Sequence, residues 1–279
     1  MSVTPSAKWG DLGIRAASAF VLVPAVLACD WAGGFWFHVF AMLFGAAVAH
    51  EWARMVFPRD HFQYVLHMLA AVAGVLLPET YGFETALSAV ALIAVVSGVL
   101  ARFSGAPSVL WSYSGIFYVG FPTIALIVLR NDATYGMKAL LWIFLIVWSA
   151  DILAYFAGRT IGGPKLAPRI SPKKTWAGLG GAIAGSALAS LAFSYFAALP
   201  GAIALALLAG ALAIVEQVGD LFESALKRHY GVKDSGRLIP GHGGVIDRVD
   251  GLIAVVMVAA LIGLYRSGGM DTARGLLAW

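Results

Sequence analysis

Apolar runs close to 20 residues long, separated by short polar breaks, recur from one end of the chain to the other. Roughly 20 residues rising 1.5 Å each cross a hydrocarbon core about 30 Å thick, so the pattern predicts about nine transmembrane helices. They fall near residues 14–30, 34–49, 64–77, 85–101, 109–129, 137–157, 176–199, 202–226 and 249–265. The longest polar segments, 158–175 and 227–248, are loop-sized. A water-soluble substrate therefore has to come to the membrane surface to react. No internal repeat or low-complexity linker divides the chain. It reads as one all-α polytopic membrane domain over 1–279, with N-terminal helices over about 14–130 and a C-terminal half over about 137–266.

Composition sharpens this picture. Of 279 residues, 60% are hydrophobic and 12% charged, with a mean hydropathy of +0.83, which leaves no room for a hidden soluble domain. The net charge of +4 is modest and reports topology rather than a nucleic-acid partner. With the N-terminus in the cytoplasm, fifteen Lys and Arg residues lie on that side, and only Arg130, Lys138, Arg266 and Arg274 lie opposite. Dropping one helix would reverse everything downstream and spoil the asymmetry. Lys8 and Arg15 before a run ending at Cys29 resemble a lipoprotein-type leader, but the same asymmetry favours a retained first helix. Cys29 is the only cysteine, so an internal disulfide is excluded.

Candidate chemistry is concentrated in the second half. Gly178, Gly181 and Gly185 lie in an apolar span and predict close packing of that helix on a neighbour. His50 and Glu51, where the second helix meets the polar surface, read as a solvated helix end, since one pair cannot close a metal site. The eighth helix differs. Its apolar start covers roughly 22 Å, which puts Glu216 at the hydrocarbon edge and Asp220 close to the cytoplasmic boundary. Spacings of four, three and four place Glu216, Asp220, Glu223 and Lys227 on one stripe. Glu223 and Lys227 are expected to snorkel into water, whereas Glu216 and Asp220 read as functional, with Asp220 serving a cation or an ion pair.

Beyond this helix, Gly231, Gly236, Gly241, Gly243 and Gly244 predict an open loop turned by Pro240. Its amides can converge on an anion, while Lys227, Arg228, Lys233 and Arg237 supply charge for phosphate oxygens. Asp247 and Asp250 follow at the start of the ninth helix, where favourable placement at a helix N-terminus accounts for one acid rather than two. A second polar loop begins after Asp151 and ends in Ser171-Pro172-Lys173-Lys174-Thr175-Trp176. Lys173 and Lys174 suit membrane-surface anchors and phosphate binders equally well. Asp151, inside an apolar helix, is a functional candidate.

Hard oxygen ligands beside bases and open glycine backbone are what a magnesium-bound polyphosphate needs, because carboxylates otherwise repel phosphate. No Ser-His-acid or Cys-His grouping points to an acyl-enzyme. Phosphoryl or nucleotidyl transfer is the indicated reaction class. A transporter with intramembrane acids would place its charges near the bilayer midplane and show repeat symmetry, and neither feature is present. The Asp-Gly-x-x-Ala-Arg pattern of the alcohol phosphotransferases is absent as well.

The runs Ser224-Ala225-Leu226-Lys227-Arg228, Lys233-Asp234-Ser235-Gly236, Pro240-Gly241-His242-Gly243-Gly244 and Asp247-Arg248-Val249-Asp250 resemble the signature of the phosphatidate cytidylyltransferase (CDP-diacylglycerol synthase) family. The similarity extends from about Asp151 to Asp250, including Ser171 to Trp176. It implies attack of a phosphatidate oxygen on the α-phosphorus of CTP, giving CDP-diacylglycerol and pyrophosphate, with Mg2+ and room for a second metal or a monovalent ion. By position, Asp220 and Asp247 match the family's metal-binding acids, Asp250 a supporting group, and Asp151 and Glu216 further candidates. Asp220, Lys227, Asp247 and Asp250 are the expected catalytic set. Lys173, Lys174, Ser224, Arg228, Lys233, His242, Gly243 and Gly244 are the expected substrate-handling set. The expected partners are CTP, phosphatidic acid and the bilayer, with no nucleic acid and with a homodimer left open. The expected setting is a bacterial inner membrane, with the active site facing the cytoplasm. A related enzyme acting on a polyprenol or an ether lipid is the neighbouring alternative.

Overall fold

A computed structural model describes residues 5–104, 108–239, 241, 243–269 and 271–279, with side-chain surroundings described from residue 18 on apart from 19 and 104. Its helices are α1 (Pro5–Ala32), α2 (Gly34–Val56), α3 (His61–Tyr81), α4 (Phe83–Ser104), α5 (Val109–Arg130), α6 (Gly136–Thr160), α7 (Trp176–Phe196), α8 (Ala202–His229), α9 (Ile246–Ser267) and α10 (Thr272–Leu277). Among the described residues eight helices, α2 to α9, are long and apolar enough to cross a membrane, and α1 adds the apolar stretch Phe20–Ala32. The chain is an integral, multi-pass, all-α membrane protein. Many large apolar side chains, such as Phe20, Phe103, Phe196 and Tyr265, face outward, as a lipid solvent allows.

The elements follow the hydropathy pattern, with α2 running on to Val56 rather than ending at 49 and three further differences. The third helix extends from His61 to Tyr81 rather than over 64–77. At its start the polar Gln63 lowers the local hydropathy without ending the helix, because it is buried and bonded, as is His67 one turn on. Gln63 donates to the Ser97 carbonyl at 2.9 Å and accepts from the Ser97 and Ser112 hydroxyls, and the His67 ring meets the Gln63 carbonyl at 2.6 Å. Asp60 caps the helix by accepting from the Phe62 and Gln63 amides. The second difference lies in the segment expected as a plain loop after α6. It contains an antiparallel hairpin, β1 (Lys165–Ala167) and β2 (Ser171–Thr175), in which Lys165 pairs with Thr175 and Ala167 with Ser171. Third, the short α10 folds back on α9, and its Arg274 amide donates to Asp132 at 3.0 Å.

The glycine stripe of α7 packs on α6 as its spacing predicts. A Cβ at Gly181 would lie 2.5 Å from Ala157 Cβ, and one at Gly185 would lie 2.8 Å from the Leu153 side chain. Thr175 ends the hairpin and caps α7 by accepting from the Gly178 amide at 3.0 Å, which fixes where Lys174 emerges. The links α2–α3, α4–α5, α6–α7 and α8–α9 share one end of the bundle, and that end carries the hairpin and the glycine-rich loop. At the opposite end Arg130 Nε meets Asp30 Oδ1 at 2.9 Å, with the Asp30 side chain fully buried.

Candidate active site

Contacts of α8 with α7 and α9, and of α6 with α7, bring the polar parts of these helices together at the hairpin end. Lys174 leaves β2 and sits against α8. Its Nζ lies 2.7 Å from Asp220 Oδ2 and donates to Gln217 Oε1 at 2.9 Å. Gln217 in turn donates from Nε2 to Glu216 Oε2 at 2.6 Å. Ser224, one turn beyond Asp220, donates its hydroxyl to Asp220 Oδ1 at 3.3 Å. Asp151 on α6 is within electrostatic range of Glu216, Asp220 and Lys174, and Asp250 on α9 within range of Asp220 and Asp151. Four of the expected acids thus share one locality, with one lysine among them.

Lys227 organises a second group. Its Nζ is 2.7 Å from Glu223 Oε2 and 2.6 Å from Asp247 Oδ1, so it pins α8 to the first turn of α9. Asp247 Oδ2 accepts from the amides of Ser235, at 3.0 Å, and Gly244, at 2.9 Å. Glu223 is 1% exposed and the Lys227 side chain 13%. The expectation that this pair snorkels into water is therefore overturned. Each charge is desolvated against the other, and pairing lowers the cost of burial.

The acidic stripe of α8 is relieved from two directions, by Lys174 at Asp220 and by Lys227 at Glu223. The open loop is more committed than its glycine content suggests, because its Ser235, Gly244 and Val245 amides serve the protein's own carboxylates. Gly243, at φ +87°, exchanges main-chain hydrogen bonds with Ile239 in a tight turn that a side chain would strain. Lys173, Arg228 and Lys233 are exposed around the site, and His242 lies outside the described residues.

Glu51 is the residue that sequence reasoning misassigned. It is not a solvated helix end: it is 1% exposed, and its carboxylate accepts from Ser235 Oγ at 2.8 Å and from the amides of Val245 and Ile246 at 2.8 and 2.9 Å. A lone acid in an otherwise apolar helix segment was the available signal, outweighed by its position near the helix end.

Among the described residues no three Asp, Glu, His or Cys side chains already converge into a metal coordination shell. The chemistry of the donors nevertheless fits a hard divalent cation. Asp151, Glu216, Asp220 and Asp250 offer only oxygen, and the buried Glu223 Oε1 has no hydrogen-bond partner. Between α5, α8 and α9 a mainly apolar cavity of about 590 Å³ runs alongside, with Asp250 and Gly219 in its wall beside Phe117, Tyr118, Phe222 and Met257. A charged end and an apolar flank within one site suit a substrate that has both.

Comparison with known proteins agrees. The cytidylyltransferase family profile matches residues 13–265. A phosphatidate cytidylyltransferase of Brucella abortus is 40% identical over 255 residues, 91% of this chain and 93% of its own length. One from Pseudomonas aeruginosa is 37% identical over 89% of this chain and 95% of its own, and one from Bacillus subtilis 38% identical over 65% and 71%. Since the profile and the Brucella and Pseudomonas relatives extend across the apolar N-terminal helices as well as the acidic end of α8 and α9, the chain belongs to the cytidylyltransferase family.

Proposed function

We propose that this chain is a phosphatidate cytidylyltransferase that joins CTP to phosphatidate at the membrane surface. A phosphatidate oxygen forms a bond to the α-phosphorus of CTP, the α–β phosphoanhydride bond breaks, and pyrophosphate carries away the electron pair. The observation that carries this reading is the meeting of the Lys174 hairpin with the Asp220 face of α8, next to Asp151, Glu216 and Asp250, at the end of the membrane-spanning helices. A nucleotide arriving from water and a lipid headgroup can meet at that depth, and the apolar cavity beside Asp250 suits an acyl chain.

Magnesium held by Asp220, with Asp250 and Asp151 as neighbouring ligands, would neutralise the triphosphate and stabilise the leaving pyrophosphate. Asp247 retains one lone pair on Oδ1 beyond its bond to Lys227, so it can add a ligand while anchoring that lysine. Lys174 is a cation held among the acids at 2.7 Å from Asp220, and it would supply positive charge to a phosphate oxygen there. Lys173, Arg228 and Lys233 supply exposed charge for phosphate oxygens around it. We place the site on the cytoplasmic face of a bacterial inner membrane, where the positive residues collect.

The test is incubation of purified protein with phosphatidate, magnesium and labelled CTP, beside ATP and lipid-free controls. Labelled lipid should form only with the cytidine nucleotide. Asp220→Ala and Asp247→Ala should each lower turnover by about a hundredfold or more while the protein remains inserted. Label transfer from ATP at the same rate, or full activity in both variants, would remove the assignment.

A further inference from the structure

The reaction outlined above makes no use of Glu51, yet Glu51 is among the most completely buried and bonded acids of the molecule. Its three described hydrogen bonds reach across 184 to 195 residues of sequence, from the C-terminal part of α2 to the Ser235 loop and the start of α9. The first turn of a helix leaves its amides without intrahelical partners, and here they are satisfied from outside α9. Glu51 takes the amides of Val245 and Ile246, and Ser235 Oγ takes that of Asp247 at 3.3 Å. Ser235 and Asp247 are tied twice, since the Ser235 amide donates to Asp247 Oδ2. A continuous chain of polar contacts therefore runs from Glu51 through Ser235 and Asp247 to Lys227 and Glu223.

Two glycines of the loop are held close by this carboxylate and its partner, since a Cβ on Gly244 would also run into Ser235 Oγ. A Cβ on Gly236 would fall against Glu51 Oε1, and one on Gly244 would lie 2.6 Å from Glu51 Oε2. The tight packing leaves the carboxylate in contact with the loop backbone itself. An acid is suited to the position for a reason an amide does not share. All three described partners are donors, and a carboxylate accepts on both oxygens, whereas glutamine would turn an NH2 toward at least one of them.

We infer that Glu51 is a positioning residue: from α2 it caps α9 and clamps the Ser235 loop, so that Asp247 and Lys227 stand where the reaction needs them. The inference rests on the reading of this site as catalytic. It adds that α2, apart from anchoring the protein, completes the site through the Glu51 side chain.

The experiment uses the full-length protein in detergent and compares wild type with Glu51→Gln and Gly236→Ala, which disturb the same contact from opposite sides. Amide hydrogen exchange across residues 235–250 should quicken at least about tenfold in both variants, with the rest of the bundle unchanged. In the same preparations kcat should fall at least about tenfold while the CTP KM stays within about threefold, because the acting groups are displaced rather than removed. Glu51→Asp, which keeps an acceptor-only group on a shorter stem, should recover part of the loss. Unchanged exchange in both variants overturns the clamp. Faster exchange with unchanged kcat overturns the positioning role and leaves Glu51 a structural acid. A wild-type protein inactive toward CTP and phosphatidate, with exchange still quickened in the variants, would remove the catalytic reading and keep the clamp. Gly236→Ala carries the comparison if Glu51→Gln fails to accumulate.

Discussion

Lys227 holds two buried carboxylates at once, and its removal tests how the site is assembled. Lys227→Met keeps most of the side-chain volume but leaves Glu223, 1% exposed, and Asp247, with 6% of its side chain exposed, facing each other without a cation. Removing one partner of a buried pair costs about 3–5 kcal/mol in favourable cases. The thermal unfolding midpoint in detergent should drop, and turnover should fall with it. A midpoint equal to that of the wild type would show that water reaches these carboxylates. The same reasoning separates the acids by role. Asp220 carries an ion pair that bridges the hairpin and α8, whereas Asp247 is committed to Lys227 and two amides. A sequence can place acids on one helical stripe, but it cannot say which lysine approaches which acid, because that depends on elements distant along the chain.

At the scale of elements, the contact of α6 with α7 governs where Lys174 sits. A Cβ on Gly181 would lie 2.5 Å from Ala157 Cβ and 2.6 Å from the Leu153 carbonyl oxygen, whereas one on Gly180 would meet open space. Gly181→Leu should therefore push α7 from α6, lower the unfolding midpoint by an amount equivalent to about 1–3 kcal/mol, and weaken activity by moving the hairpin. Gly180→Leu should leave both unchanged. Equal behaviour of the two variants in thermal unfolding would refute the packing assignment. The helices themselves were largely legible in the apolar runs, since burial in lipid demands length and hydrophobicity from each span separately. The hairpin was not, because Lys165 to Thr175 lacks the apolar alternation of a core strand and is ordered by its junctions with α6 and α7. The third helix was read short at its start because the buried Gln63 looks polar until Ser97 and Ser112 are known to bond it.

For the whole molecule, the arrangement predicts that the two ends of the bundle face different compartments. In a Cys29→Ser background, a membrane-impermeant maleimide added to spheroplasts should label Ala133→Cys, in the α5–α6 link, while Pro168→Cys, in the hairpin turn, reacts only after lysis. The reverse pattern would place the acids and the hairpin outside, where the proposed chemistry would lack CTP. The site draws on α2, α6, α8, α9 and the hairpin, so the N-terminal helices belong to the same working unit as the C-terminal half.

Sequence alone determined the membrane architecture, the end of the bundle where the charges collect, and the class of chemistry that clustered acids, bases and glycines can perform. Those properties follow from local composition and from spacing within single helices. Tertiary structure decided the pairing of Lys174 with Asp220, the pin at Lys227, and the burial of Glu51 under the start of α9. Hydrogen bonds and ion pairs are made between neighbours in space, and the bilayer, by making an unpartnered buried polar group costly, turns those distant meetings into the geometry of the site.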